Sequence, residues 1–254
     1  MTVVRPLANV LRDAGAVIAF VLVWQLVTVA FSVPAFLVPM PSAIGAALVA
    51  NVGRIGAALG QTAAEAMLGF AGGNVLGLAL ALAFARSRAL ERVGLPVAIA
   101  LRSVPLIAIA PLLTIILGYG PATIIVMAVL ISFFPALVGG ASGLRAPSAA
   151  ALDLMHVLDA PERVRYARLR IPAALPFVFA AFKVTAPASV LAAMVAEWTA
   201  ANSGLGYLII DAGEQYHFPL MWAGIVAATA LAVAAFIGAS VVERRVISWP
   251  VESA

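Results

Sequence analysis

The apolar residues of this chain fall in runs too long for most soluble elements. Six stretches, at about residues 14–32, 60–85, 96–117, 121–142, 174–199 and 220–242, are nearly free of charge. A run of roughly 18 or more apolar residues is long enough to cross the bilayer hydrocarbon as a helix that satisfies its own backbone hydrogen bonds. The composition agrees: 64% of residues are hydrophobic and 10% charged, against about 25% charged in soluble domains. Mean hydropathy is +1.11. The sequence therefore predicts an all-α, polytopic membrane protein, with residues 1–254 forming one transmembrane domain of six spans. A cleaved signal peptide is not expected, because the first run is long for such a segment and no clear small-x-small site follows it.

Several chemistries are excluded at once. The chain has no cysteine, so disulfides, thiolate catalysis and cysteine metal sites are out. The net charge of +4 does not point to nucleic acid, because the basic residues sit between spans and form no soluble basic domain. A P-loop needs Gly-Lys before Ser or Thr, yet the only lysine, Lys183, follows Phe182. His156 and His217 are far apart, and neither opens an H-E-x-x-H helix; no G-x-S-x-G elbow occurs. No residue set is catalytic, so the chain is not expected to be an enzyme or to hold a metal.

Charge placement predicts orientation. Arg5, Arg12, Arg86, Arg88, Arg92, Arg145, Arg163, Arg165, Arg168, Arg170, Arg244 and Arg245 fall on one side of the six spans, with Arg102 and Lys183 near it, and only Arg54 on the other. This is the positive-inside pattern, with both termini cytoplasmic. Ser42, after the Pro34–Pro41 stretch, is placed to cap a short helix over 43–56. Gly118-Tyr-Gly120-Pro121 marks a turn. Gly69, Gly73 and Gly77 put a small-residue stripe on the second span, suited to close packing within the chain. No fixed-period repeat or duplicated halves are visible.

The longest polar stretch between spans runs from Arg145 to Pro172. It reads as two short helices and a turn. Leu152, Met155 and Leu158 recur at helical spacing in the first. Asp159 is placed to cap the second, with Glu162 completing a capping box and Pro161 in its first turn. Val164, Ala167 and Leu169 fall on one side of that helix and Arg163, Arg165, Arg168 and Arg170 around the rest; Pro172 and Pro176 are expected to interrupt the backbone. From the residues alone, this stretch is equally a docking element or a basic loop that only fixes topology.

Other elements follow in order from about Val38 to Trp249: Pro39-Met-Pro-Ser42, Gly69-Phe70, Ser87-Arg88 with Glu91-Arg92, Leu101-Arg102-Ser-Val-Pro105, Pro111-Leu112, Phe133-Phe134-Pro135, Ala196-Glu197, Gly204-Leu-Gly206-Tyr-Leu-Ile209 and Glu243-Arg-Arg245. This ordered set resembles the permease subunits of bacterial binding-protein-dependent ABC importers, especially the nitrate, sulfonate and taurine group. Their cytoplasmic loop reads Glu-Ala-Ala, three residues, Gly, nine residues, Ile-x-Leu-Pro. Here Asp153 stands at the Glu, Leu154 and Met155 at the two small residues, Asp159 at the Gly, Leu169 at the Ile and Ile171-Pro172 at the Leu-Pro. Asp tolerates a left-handed turn moderately. At Glu65 the family often carries a basic residue, so no role is transferred there.

The resemblance implies a type I importer permease fold in the bacterial cytoplasmic membrane, forming a homodimer that carries substrate between two states. A cytoplasmic ABC ATPase dimer would bind ATP and Mg, leaving this chain without a cofactor, and an extracytoplasmic binding protein would deliver substrate. The ATPase contact would involve Asp153, His156, Asp159, Ala160, Glu162, Arg163 and Tyr166. The substrate class it implies is a small anion such as nitrate, sulfonate or taurine, or a vitamin precursor.

Ionisable groups and backbone breaks within spans mark Ser103, Pro105, Lys183 and Glu197 as candidate pathway or gate positions, and Met194 and Trp198, near Glu197 on the same span, are counted with them. Pro111 is a further break in the third span. Glu197 either lines the route or pairs with a neighbour, and snorkelling is the alternative account of Lys183. Gly204 to Pro219 is expected to form a short helix over the outer mouth, with Tyr207, Tyr216, His217 and Phe218 presented to a binding protein or forming an interfacial belt. Two other classes compete. An ion-coupled carrier predicts inverted repeats and a midplane ionisable cluster, and a membrane enzyme predicts a clustered catalytic set; the sequence displays none of these.

Overall fold

A computed structural model of the protein describes residues 7–249, with side-chain surroundings from residue 15 onward. Its elements are α1 (Leu7–Ala30), α2 (Pro41–Ala50), α3 (Val52–Arg86), α4 (Arg88–Ser103), α5 (Leu106–Leu117), α6 (Pro121–Leu144), α7 (Ala149–Val157), α8 (Glu162–Arg165), a π-helical turn (Tyr166–Arg170), α9 (Ile171–Ala200), α10 (Leu205–Glu214) and α11 (Phe218–Val246). The described residues contain no strand. Long enough and apolar enough to cross a bilayer are α3, α6, the continuous helix Glu162–Ala200, and α11; α4 and α5 pass the same test only as a pair, with a bend of 97° between them. The first predicted span falls on α1, whose described apolar part, Gly15–Ala30, is shorter. Arg5 and the Arg12 side chain lie outside the described residues.

Small residues set the centre of the fold. Lipid offers helices no hydrophobic reason to associate, so close backbone approach and dispersion must supply it. On α3, Gly69, Gly73 and Gly77 lie against Ala128, Ser132, Phe133 and Ala136 of α6. On α6, Gly139 and Gly143 lie against Phe177 and Ala174 of α9. A side chain at these positions would collide with its neighbour; a Cβ on Gly143 would stand 2.7 Å from the Ala174 Cα. The glycine stripe thus serves packing within the chain. Asn74 on α3 and Thr185 on α9 exchange hydrogen bonds at 3.2 and 3.3 Å, so these two buried side chains satisfy each other.

Around this trio, α10 and α11 build a second apolar cluster from Leu205, Leu208, Leu220 and Ala223, into which Ile44 of α2 and Ile55 of α3 also pack. Trp24 of α1 meets Trp222 of α11 at 5.5 Å between ring centroids.

Three local expectations are corrected. The helix expected at 43–56 is divided at Asn51, whose side-chain amide donates to the Ala47 carbonyl at 3.0 Å and turns the chain. Ser42 caps nothing: Met40 is the N-cap, and the Ser42 amide donates instead to Gln25 Oε1 at 3.1 Å. Of the proline breaks, only that at Val104-Pro105 separates two helices; Pro111 stays inside α5. Pro172 and Pro176 also stay within a continuous helix. Proline removes one donor and crowds the carbonyl four residues back, and the widened π turn just before Pro172 accommodates that loss.

Gly77→Leu should lower the detergent unfolding midpoint, at a cost of about 1–3 kcal/mol for overpacking. Gly45→Leu, which meets open space, should leave the midpoint in place. Thermal unfolding followed by size-exclusion chromatography compares the two.

Candidate coupling segment and outer junction

The stretch from Arg145 to Pro172 folds as a helix, a tight turn and a second helix. The Ser148 hydroxyl accepts from the Ala151 amide at 3.3 Å and caps α7. At the other end, the Ala160 amide donates to the Met155 carbonyl at 3.0 Å and the Asp159 amide to the His156 carbonyl at 2.9 Å. This pair of bonds is the Schellman closure of a helix, which needs a left-handed residue at the position of Asp159. Asp159 has φ +48°. It therefore occupies the conformation for which glycine is the easier choice. The expected capping box is absent: Pro161 is the N-cap of α8, and no side chain caps it. Asp159 is committed to ending α7 and is not free to begin α8. The Arg165 side chain closes the turn by donating from Nε to the Ala160 carbonyl at 2.8 Å.

One residue joins this segment to the membrane helices. Tyr166 is buried, with its ring between the Arg86 and Arg170 guanidiniums at 5.4 and 5.2 Å. Its hydroxyl donates to the Ala85 carbonyl at 3.4 Å, and it packs with Leu144 and Ala174. Of the predicted contact residues, Asp153, His156, Asp159, Glu162 and Arg163 are exposed together, Ala160 is half-buried, and Tyr166 is an internal anchor. Leu158, which recurs at helical spacing with Leu152 and Met155 in the sequence, is 65% exposed, and Val157 is 83% exposed. With Leu154, these apolar side chains form a surface on α7 that the sequence reading missed. Their i, i+3, i+4 spacing was the available signal.

At the opposite end of α9, Glu197 is fully buried. It accepts from the Thr62 hydroxyl of α3 and from the Gly206 amide at the start of α10, both at 2.6 Å. Thr62 also accepts from the Leu205 amide at 2.8 Å. Gly204, at φ +101°, lies directly on the Glu197 carboxyl, where a Cβ would not fit. Glu197 therefore pins the first turn of α10 across α3 and α9. Glu65, also buried, accepts from Gln61 at 3.2 Å; the sequence reading assigned it nothing.

Of the other pathway candidates, only Met194 belongs to this junction. Met194 lies one turn before Glu197, with its carbonyl against Gly206, while Trp198 is exposed. Lys183 pairs with Glu243 of α11 at 2.8 Å. Ser103 and Pro105 are exposed at the α4–α5 bend, and the Ser103 hydroxyl donates to the Ile99 carbonyl at 2.9 Å. Of the aromatic residues expected over the outer mouth, Tyr207 is half-buried and Tyr216 is exposed at φ +59°.

Residues 73–248 match the family described as the binding-protein-dependent transport system inner membrane component. The chain belongs to this family. It is 32% identical over 230 residues to a probable ABC transporter permease of Haemophilus influenzae, covering 91% of this chain and 94% of that one. It is 30% identical over 191 residues to the formylaminopyrimidine transport permease ThiX of Halalkalibacterium halodurans, covering 75% and 76%. The fold is shared with a chain of the MetNI methionine ABC transporter in an inward-facing conformation, at 18% identity and a TM-score of 0.59 over 77% of this chain and 95% of that one. As an ABC importer permease, the protein is a transport subunit and not an enzyme, and the family implies an ATPase and a substrate-binding protein as partners. Family membership displaces the self-contained carrier and the membrane enzyme.

Two substitutions test these junctions. Asp159→Val should weaken the segment by about 1–2 kcal/mol, because a branched side chain is strained in the left-handed region, whereas Asp159→Gly should not; protection of the Ala160 amide in hydrogen exchange reads the difference. Glu197→Ala leaves the Gly206 amide without its buried acceptor, a cost of about 1–3 kcal/mol. Protease sensitivity of the 201–205 connection should rise in that variant and not in Glu197→Gln.

Proposed function

We propose that the segment from Arg145 to Pro172 docks on a separate cytoplasmic ATPase and passes its movement to α9, within an importer of two permease copies. The observation that carries this reading is the arrangement of α7, the turn at Asp159 and α8. It presents Asp153, His156, Glu162 and Arg163 beside exposed Leu154, Val157 and Leu158. Charged groups around apolar side chains are the composition of a protein contact. Tyr166 anchors the same segment to the helix bundle, so a push on α8 travels into a continuous helix of 39 residues. In this reading both termini face the cytoplasm, ATP and Mg are held by the partner, and this chain carries no cofactor.

The Glu197 junction is read as part of the outer gate. It ties α10 to α3 and α9 by two hydrogen bonds on one carboxyl, an arrangement that separates as a unit when those helices part. Substrate selection is assigned mainly to the binding protein. Relatives named as permeases for formylaminopyrimidine, riboflavin, aliphatic sulfonates and taurine support a small organic solute, an organic anion or vitamin precursor, as the cargo.

Charge reversal at Glu162 and Arg163 together should abolish stimulation of the partner ATPase and uptake into proteoliposomes while leaving the amount of inserted protein unchanged. Normal uptake by that double variant would place docking elsewhere.

A further inference from the structure

The basic end of the molecule holds a cleft that the coupling reading does not use. It has a volume of about 520 Å³ and lies where the α3–α4 junction, the end of α6 and the π turn meet. Arg88, Arg92, Arg145 and Arg170 line it, together with Glu91. Glu91 is paired with Arg145. Four guanidiniums thus face one carboxylate, and among the described residues Arg88, Arg92 and Arg170 make no ion pair. Arg170 is held in place by the Tyr166 ring and by donating to the Leu144 carbonyl at 3.4 Å. Guanidinium groups converging on a cleft suit a phosphate, which accepts from each planar fork.

The neighbouring helix indicates where that phosphate comes from. With a 97° bend between them, α4 and α5 cannot both run along the membrane normal. Apolar side chains dominate α5, whereas α4 has two faces. Leu90, Val93, Val97 and Leu101 form an exposed stripe at i, i+3, i+7 and i+11, and Arg88, Glu91 and Arg92 lie away from it. A helix with this division lies in the plane of the headgroups, its apolar stripe toward the acyl chains. The arginines of α4 then sit at the depth of lipid phosphates, and the cleft opens beside them.

We propose that this cleft binds the phosphate of an anionic phospholipid, fastening the α3–α4 junction, the end of α6 and the π turn to the bilayer surface. The proposal rests on α4 lying in the interface and is independent of the ATPase docking read for α7 and α8. Native mass spectrometry of the full chain, released from nanodiscs of phosphatidylcholine doped with phosphatidylglycerol, tests it. The wild-type chain should retain phosphatidylglycerol preferentially. Arg88→Gln/Arg92→Gln should reduce that preference about twenty-five-fold, roughly fivefold for each arginine at a headgroup. Arg163→Gln, on the exposed side of α8, should leave it unchanged. Equal retention of the two lipids by the wild-type chain would overturn the proposal without any variant. So would displacement of the lipid by millimolar inorganic phosphate, which would make this a small-anion site. A double variant that keeps its lipid preference but no longer captures the ATPase subunit would make the cleft a protein contact and overturn the proposal equally.

Discussion

Everything in this protein depends on three helices approaching closely enough for their backbones to touch. In lipid, apolar side chains gain little by leaving one hydrocarbon for another, so association rests on dispersion between surfaces that fit. Gly69, Gly73 and Gly77 let α3 meet α6, and Gly139 and Gly143 let α6 meet α9. The contacts involve backbone atoms, which cannot rotate away as side chains do. The result is a stiff slab, with the more loosely packed α1, α2 and α11 added to its flanks.

That slab gives α9 its role. Counted from Glu162 the helix has 39 residues, about 58 Å at 1.5 Å per residue. One end carries α8 and the Tyr166 anchor; the other carries Glu197. Both ends are fixed by hydrogen bonds that cross to other elements: Tyr166 to Ala85 at the end of α3, Glu197 to Thr62 of α3 and Gly206 of α10. A displacement entering at one end has few soft places to be absorbed. The π turn at Tyr166–Arg170 is the exception, and it lies where the exposed segment joins the membrane helix.

The broad architecture was legible in the sequence because bilayer chemistry leaves so few choices. Apolar runs, the Gly118–Pro121 turn and the break at Val104-Pro105 all follow from local composition. The glycine stripe on α3 was read as packing within the chain, which is how it serves. Three details were not legible for a common reason: they depend on which of two local preferences wins. Asp159 can cap a following helix or end a preceding one, and the hydrogen bonds from Asp159 and Ala160 back to α7 decide for the end. Pro172 can stop a helix or be absorbed, and the π turn absorbs it. Leu158 can face in or out; ending α7 at Val157 turns it outward. Glu65 carries no expected role because related permeases often have a basic residue there; its burial comes from the packing of neighbouring helices, which no short window of sequence records.

The central claim is that the exposed α7–α8 segment is the contact through which ATP hydrolysis reaches α9. The chain contains no cysteine, so single cysteines can be placed without background. Val157→Cys and Arg163→Cys, each combined with a maleimide cross-linker and the partner ATPase in membranes, address the claim directly. The account predicts strong cross-linking from both positions, with a yield that changes when ATP is added, and none from Val49→Cys on α2. Cross-linking from Val49 with none from positions 157 and 163 would contradict both the docking surface and the orientation of the chain.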